Sequence, residues 1–187
     1  MPTVITHGVV GYLAAKMTAP ALPPKLWLYA FACSIIPDLD SISFHIGIPY
    51  GHILGHRGFT HSPLFALLLA LVVCEVGFRS LARFSRPWWR CFGVLALVTA
   101  SHGVMDALTF AHKGVAFLFP FSDERFFFPW HLVPGASVGM DFFARPTMSL
   151  FVLLAEFQIF LLPLLLLWAA LKMRAFSRPP HDGASAD

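Results

Sequence analysis

Three long apolar stretches stand out in the pattern of hydrophobic and polar positions along this chain, at about 63–78, 92–108 and 148–173. A helix rises about 1.5 Å per residue and the hydrocarbon core of a bilayer is about 30 Å thick, so a crossing needs roughly 20 apolar residues. The last stretch can cross with tilt to spare, while the first is close to the short limit. The pattern therefore predicts three long transmembrane helices.

Two shorter apolar pieces, 4–15 and 25–36, precede these stretches. A proline-rich turn at 19–24 separates them, so the pair is expected to form a helical hairpin that is partly or fully inserted. The predicted fold is all-α: a polytopic membrane helical bundle with three long transmembrane helices and an N-terminal pair of shorter helices. Residues 1–176 are expected to form one integral membrane domain, and the polar segment 177–187 a disordered cytoplasmic tail.

Composition supports the membrane interpretation and excludes other classes. The chain is 57% apolar and 12% charged, with 20 Phe and 5 Trp, which is typical of an integral membrane protein whose partner is the lipid bilayer. Its three cysteines lie in apolar stretches without CxxC spacing, so we expect small buried side chains rather than disulfides or thiolate ligands. The net charge of +3 is not gathered on a basic, aromatic face, which argues against a nucleic-acid partner. No basic residue precedes the first apolar piece, so a cleaved signal peptide is not expected.

Basic residues predict the orientation, because Lys and Arg accumulate in short cytoplasmic loops. Nine of the thirteen fall on one side of the predicted bundle: Lys16, Lys25, Arg79, Arg83, Arg86, Arg90, Lys172, Arg174 and Arg178. The other side holds the remaining four, which are Arg57, Lys113, Arg125 and Arg145. The protein is therefore predicted to be multi-pass, with the N-terminus outside and the C-terminus in the cytoplasm.

Histidine and aspartate side chains gather at the extracytoplasmic end of this topology. They begin the first helix, follow the second, precede the third and occupy the last turns of the fourth: His7, Asp38, Asp40, His56, His61, His102 and Asp106. The charge rule used none of these residues, so their agreement is independent evidence for one shared site. Ionisable residues at membrane depth mark functional sites by default.

A divalent metal explains this gathering better than separate ordinary roles. His102 and Asp106 are four residues apart, which places them on one helix face; one metal can take both, or the Asp caps the helix while the His bonds a backbone carbonyl. Taken singly, His61 and Asp38 are also typical of helix boundaries, and His7 of a satisfied core histidine. Several such groups at one depth would repel one another or stay unsatisfied without a cation, and imidazole with carboxylate favours zinc, manganese or iron over calcium.

The number of candidates allows one or two ions, because a catalytic zinc typically keeps about three protein ligands and an open position. Two metals about 3.5–4 Å apart suit phosphoester hydrolysis, in which they activate water and clamp the attacking and leaving oxygens. Arg57, next to His56, offers a guanidinium fork for a phosphate oxygen. Its alternative role is that of a surface arginine at the headgroup level.

Several motifs in the first 130 residues resemble the YdjM-like membrane-bound metal-dependent hydrolases, a LexA-regulated inner-membrane family of bacteria. They are His7-Gly8, Pro37-Asp38-Leu39-Asp40, the run 56–62 (HRGFTHS), the run 101–109 (SHGVMDALT) and the run 120–130 (PFSDERFFFPW). The family is described as distantly similar to zinc phospholipase C and related nucleases. The resemblance implies metal ligation by His7, Asp38, His61, His102 and Asp106. It also implies catalytic or supporting roles for Asp40 and His56, and a substrate role for Arg57.

Two further features lie outside this set. The segment 110–146 is rich in Phe, Pro and Trp and lies on the side of the site; its aromatic residues form either an interfacial belt or a lid in which Arg125 binds a headgroup phosphate. Glu156 lies about two turns into the last helix. It either bonds a ligand histidine or packs between helices as a protonated carboxyl.

The sequence therefore predicts an inner-membrane hydrolase with one or two divalent metals, zinc favoured over manganese or iron. Its expected substrate is a phosphoester or related ester of a lipid-like molecule at the periplasmic membrane edge. The alternative is a non-catalytic or ion-handling membrane protein whose metal is structural or transported. An open coordination position on the metal would distinguish an enzyme from a protein with a structural metal. The candidate ligands all lie at one end of the bundle, which argues against a transported ion.

Overall fold

The computed structural model describes residues 1–110, 114–130, 132–135 and 140–176. Over these residues the fold is all-α, as predicted, and two isolated β-bridges are its only extended pairings. The α-helices are α1 (Val4–Thr18), α2 (Lys25–Ile35), α3 (Pro63–Gly77), α4 (Arg86–Ala107), α5 (Met140–Ala144), α6 (Pro146–Glu156) and α7 (Leu162–Phe176). Two 3-10 segments, Ile36–Phe44 and Phe59–His61, and one π-helical segment, Phe157–Leu161, join some of them. The predicted disordered tail, 177–187, lies outside the described residues.

One helix within the described ranges is long and apolar enough, by length and composition, to cross a membrane. It is the continuous run Pro146–Arg174 of 29 residues, made of α6, the π-helical segment and most of α7. Only 11% of its most apolar window is buried inside the protein, so the rest of the described chain leaves most of its surface uncovered. Of the three predicted transmembrane helices, this run alone is a candidate span by those criteria; α3 has 15 residues and is roughly 22 Å long.

The start of α4 differs from the prediction. This helix begins at Arg86, ahead of the apolar stretch that starts near 92, because Ser85 caps it by accepting a hydrogen bond from the backbone N–H of Trp88, with a proline in its first turn. Trp88 is buried, at 1% exposure. The basic first turn of α4 therefore belongs to the helix and not to the preceding loop.

Small side chains allow the helices to pack closely. The buried core contains many alanine and cysteine residues: Ala15, Ala19, Ala30, Cys33, Ala70, Cys74, Cys91 and Ala96. Small residues at helix contacts let backbones approach, as is usual in membrane bundles. The three cysteines are free and buried, which confirms their predicted role as small core side chains.

The N-terminal hairpin brings two parts of the polar cluster together. Thr3 caps α1 through its side chain, and α1 packs along α2 closely enough that a Cβ atom on Gly11 would lie 1.9 Å from the Ser34 hydroxyl. The chain then passes from α2 directly into the first 3-10 segment, where Asp38 and Asp40 are buried. The hairpin thus fixes where His7 and both aspartates lie relative to α4.

Candidate metal centre

Four buried side chains converge between the first 3-10 segment, the second 3-10 segment and the end of α4. One nitrogen or carboxylate oxygen from each lies within 4.8 Å of those of the others; the residues are Asp38, His61, His102 and Asp106. The Nε2 atoms of His61 and His102 are 3.1 Å apart. His102 Nε2 lies 3.4 Å from Asp38 Oδ1, and His61 Nε2 lies 3.3 Å from Asp106 Oδ2.

The carboxylates of this group lack hydrogen-bond donors. All four oxygens of Asp38 and Asp106 are buried without a hydrogen-bond partner among the described residues. Nitrogens of His7, Arg57 and His61 come within 3.0–3.5 Å of the Asp106 oxygens, but their alignment does not make hydrogen bonds. Burying carboxylate oxygens without hydrogen-bond donors costs free energy. A further positive group between them would therefore stabilise the arrangement.

The two central histidines direct their lone pairs at each other. His102 Nδ1 lies 2.7 Å from the Ser34 carbonyl oxygen, and because a carbonyl only accepts, this nitrogen carries the hydrogen. His61 Nδ1 lies 3.1 Å from Asp40 Oδ2 and 3.1 Å from the Thr60 hydroxyl oxygen, and the nearby carboxylate favours the same tautomer. In its neutral form, each ring offers its Nε2 lone pair to the gap between them, the usual state of a metal-binding histidine with a supporting acceptor.

A cation in this gap would satisfy both lone pairs and the carboxylate oxygens together. Burial alone would lower the pKa of His61, but the Asp106 and Asp40 carboxylates outweigh it and raise that pKa to about 9, so the negative charge around the gap favours a proton there. Metal binding displaces such protons. The donor set of two imidazoles and two carboxylates therefore fits a divalent metal.

A second group lies beside the first and shares His61 with it. It consists of Asp40, His56 and His61. Asp40 Oδ1 lies 2.6 Å from His56 Nδ1, and Oδ2 accepts from the Thr60 hydroxyl and from the backbone N–H of Arg57. Burial would raise the pKa of Asp40, but its contacts with His56 and His61 hold the pKa well below its usual value. Asp40 is thus an ionised hub that orients both histidines.

Arg57 lies inside the centre, not at the headgroup level. Its side chain is 2% exposed, with Nε 3.0 Å from Asp106 Oδ2 and Nη2 donating to the Thr109 hydroxyl at 3.2 Å. Nη1 is buried and has no partner among the described residues. The backbone holds this side chain inward at a φ of +63°, a conformation uncommon for a residue other than glycine.

His7 stands at the edge of the four-residue group. Its ring stacks on that of His102 with centroids 3.8 Å apart, and its Nε2 lies 3.5 Å from Asp106 Oδ1. That nitrogen is buried without a hydrogen-bond partner. The structure therefore brings His7 to the centre but not into the set of four mutually close ligand atoms.

Arg125 holds a loop over the site. Its guanidinium donates to the carbonyl oxygens of Tyr50 at 2.5 Å, His52 at 3.2 Å and His56 at 3.1 Å, and it stacks 4.5 Å from the Tyr50 ring centroid. These bonds tie the segment 114–130 to the segment 50–56. A direct contact between Arg125 and substrate stays a prediction.

Glu156 hydrogen-bonds to the start of α1 and, among the described residues, to no histidine. It is fully buried, and its carboxyl accepts from the Thr3 backbone N–H at 2.7 Å, the Thr3 hydroxyl at 2.6 Å and the Thr6 hydroxyl at 2.5 Å. Of the two roles considered for Glu156 in the sequence analysis, these contacts correspond to packing between helices. The sequence did not indicate Thr3 and Thr6 as its partners. It fixes the last helix against the turn that carries His7.

Gly103 allows α4 to approach His61. A Cβ atom there would lie 2.7 Å from the His61 carbonyl oxygen, whereas one on Gly93 in the same helix would meet nothing within 4 Å. We expect Gly103→Ala to cost about 1–3 kcal/mol of stability through overpacking, or roughly 2–4 °C of Tm per kcal/mol. Thermal unfolding in detergent measures this. Gly93→Ala is the matched control and should be neutral or slightly stabilising; equal Tm values for the two variants would contradict the close approach.

Comparison with known proteins agrees with the resemblance noted in the sequence. The family described as YdjM inner membrane protein matches residues 1–180. The inner membrane protein YbcI of Escherichia coli (strain K12) is 37% identical over 147 residues, which cover 78% of this chain and 83% of that protein. No solved structure matches significantly.

Proposed function

This chain belongs to the family of YdjM inner membrane proteins, and we propose that it is a membrane-bound metal-dependent hydrolase. Its proposed substrate is a phosphoester, or a related ester, of a lipid-like molecule. The observation that carries the proposal is the gap between His61 and His102, where both Nε2 atoms lie beside four buried carboxylate oxygens that accept no hydrogen bond from the described residues. A purely structural core gains nothing from burying such a set.

The proposed ligands are Asp38, His61, His102 and Asp106, with His7 as a fifth through its approach to Asp106. Zinc suits this donor set best, with manganese or iron as alternatives. When bound, such a metal supplies the Lewis acidity that activates water and neutralises charge on phosphoryl oxygens. A second ion would use the group of Asp40, His56 and His61.

When a single metal ion is bound, at the four-residue group, Asp40 and His56 are the proposed proton-handling pair. Asp40 fixes the ring of His56 through Nδ1 at 2.6 Å, so the hydrogen on Nδ1 leaves Nε2 as the basic nitrogen. A ring held in one tautomer by a carboxylate can take a proton from the attacking water and return it to the leaving oxygen. This division leaves Arg57 to bind the substrate.

Arg57 supports the phosphoester assignment. Two of its nitrogens are held by Asp106 and Thr109, while the buried Nη1 still lacks an acceptor. An oxygen of a phosphate group beside the metal ligands would satisfy it with a charge-assisted hydrogen bond. The same arginine balances part of the negative charge of Asp106.

An apolar rim around the centre supports a lipid-like substrate. The segment that carries Asp38 and Asp40 on its buried side exposes large apolar side chains on its other side: Leu39 at 69%, Ile42 at 60%, Phe44 at 48% and Ile46 at 63%. Exposed apolar surface of this extent marks contact with a membrane or an apolar ligand. A substrate whose tail stays in the bilayer can therefore present its headgroup to the centre.

The test combines metal analysis with turnover. Detergent-purified protein should contain one or two divalent ions per chain, release phosphate-containing product from phospholipid vesicles or from a nitrophenyl phosphodiester, and lose this activity on chelation. A stable metal content together with no hydrolysis of either substrate would instead support a structural or transported metal. Protein without metal at any stage would contradict the centre itself.

The proposed topology is multi-pass: three long transmembrane helices and an N-terminal hairpin that is partly or fully inserted, with the centre outside and the C-terminus in the cytoplasm. The three native cysteines are buried, so a single introduced cysteine reports its own location. Gly51→Cys, at an exposed position of the loop beside the centre, should react in intact cells with a membrane-impermeant maleimide. Phe84→Cys, exposed at the basic end of the bundle, should react only after lysis; the reverse pattern would contradict the orientation.

A further inference from the structure

A cavity of about 400 Å³ lies at the end of the bundle opposite the metal centre. The end of α1, the start of α2 and the end of α7 form it, and its walls include Lys16, Trp27, Trp168, Leu171 and Lys172. None of these residues belongs to the groups described above. The cavity is large enough for a small polar group of a ligand.

The described residues that line the cavity carry two positive charges and no negative charge. Over the residues whose side chains are placed, no carboxylate forms an ion pair with Lys16 or Lys172; the one ion pair recorded at this end of the bundle joins Arg83 to Glu75. Lys25, at the start of α2, donates a hydrogen bond to the Gly77 carbonyl oxygen at 2.6 Å. Among the described residues, Lys16 and Lys172 are thus two cations that line the cavity without a paired carboxylate.

Aromatic rings hold the Lys16 ammonium in place. Its Nζ lies 5.5 Å from the ring centroid of Tyr12, 5.3 Å from that of Trp27 and 5.5 Å from that of Trp168. Such cation–π contacts reduce the freedom of a lysine that would otherwise move in solvent. The indole of Trp27 therefore contributes both to the wall of the cavity and to the position of this charge.

The position of the cavity indicates which kind of ligand it binds. Lys172 lies in the last turns of the long apolar helix Pro146–Arg174, where a spanning helix meets the phosphate layer of the bilayer. Below it, Leu167 and Leu171 are 53% and 45% exposed and offer an apolar track for acyl chains. We propose that this cavity binds the phosphate headgroup of an anionic phospholipid, with Lys16 and Lys172 as the cations that recognise it. Basic pockets between membrane helices recognise anionic lipids by the same chemistry.

Lipid-dependent stability tests the proposal on the whole chain. Purified protein in detergent is heated with added phosphatidylglycerol, phosphatidylcholine or inorganic phosphate. Phosphatidylglycerol should raise the Tm by on the order of 5 °C and the other two by far less. The double variant Lys16→Gln/Lys172→Gln should lose this selective rise, and native mass spectrometry should show fewer copies of phosphatidylglycerol bound to it.

Arg86→Gln/Arg90→Gln is the matched control, because it removes two exposed charges at the same end of the bundle away from the cavity and should keep the full response. If the double variant fails to fold, Lys172→Gln alone serves, since that side chain is exposed. An unchanged response in the cavity variants, an equal loss in the control, or a response to inorganic phosphate as large as that to phosphatidylglycerol would each overturn the proposal.

Discussion

His102→Ala and Asp106→Ala are each expected to remove most of the bound metal. Both side chains point into the same gap and belong to the set of atoms within 4.8 Å of one another. Loss of an outer group that merely orients a ligand typically lowers metal affinity about 10–100-fold, so loss of a ligand should lower it by at least that much. We expect hydrolysis to fall in parallel. Elemental analysis of protein purified under identical conditions measures the first effect.

His45→Ala is the matched control for these variants. His45 follows the same 3-10 segment as Asp38 and Asp40 but is exposed, so its removal should leave the metal content unchanged. Thermal unfolding separates loss of metal from loss of fold, because the variant helices should still insert and unfold cooperatively. Full metal content in both His102→Ala and Asp106→Ala would remove this pair from the ligand set.

The common location of the polar residues followed from two independent patterns in the sequence. Basic residues predicted which ends of the helices lie together, and the 3.6-residue repeat placed His102 and Asp106 on one helix face. Asp38 and His61 were expected at the same depth for the same reason. The structure brings these four within ligand distance of one another, which a rule about depth alone does not require.

The partners that orient the ligands were beyond the sequence pattern. The Ser34 carbonyl accepts from His102 across 68 positions, and a main-chain oxygen leaves no signature in residue types. Glu156 was visible as an acid in an apolar helix, but its choice of Thr3 and Thr6 depends on how α6 packs against α1. Contacts of this kind arise from helix packing. Small residues allow helices to approach closely, but they do not determine which helices pack together.

The number of membrane crossings shows where hydropathy is a weaker guide. The run Pro146–Arg174 satisfies the length and composition of a span, while α3 is apolar but short. α4 has 22 residues, yet it carries Arg86 and Arg90 at one end and the site residues at the other. A helix with buried His and Asp side chains near one end has less uninterrupted apolar length, so hydropathy is a weaker guide to whether it spans the membrane.

Arg57→Lys is expected to separate substrate binding from metal binding. The substitution keeps the positive charge beside Asp106 but loses the planar fork and with it the free Nη1 donor. If that donor binds a phosphoryl oxygen in the transition state, its loss should cost about 1–3 kcal/mol, or roughly ten- to a hundredfold in turnover. Metal content should stay close to that of the wild type, because the Asp106 charge remains balanced.

Arg145→Lys is the matched control, since Arg145 is exposed at the start of α6 and should show normal turnover after the same chemical change. The ratio of metal content to turnover then distinguishes three roles for Arg57. Normal metal with reduced phosphoester turnover supports the phosphate contact, and loss of metal would make Arg57 a support for Asp106 instead. Unchanged turnover and unchanged metal content would mean that the unpaired Nη1 does not contact the substrate. Arg57 would then no longer support a phosphoester over other esters as the substrate.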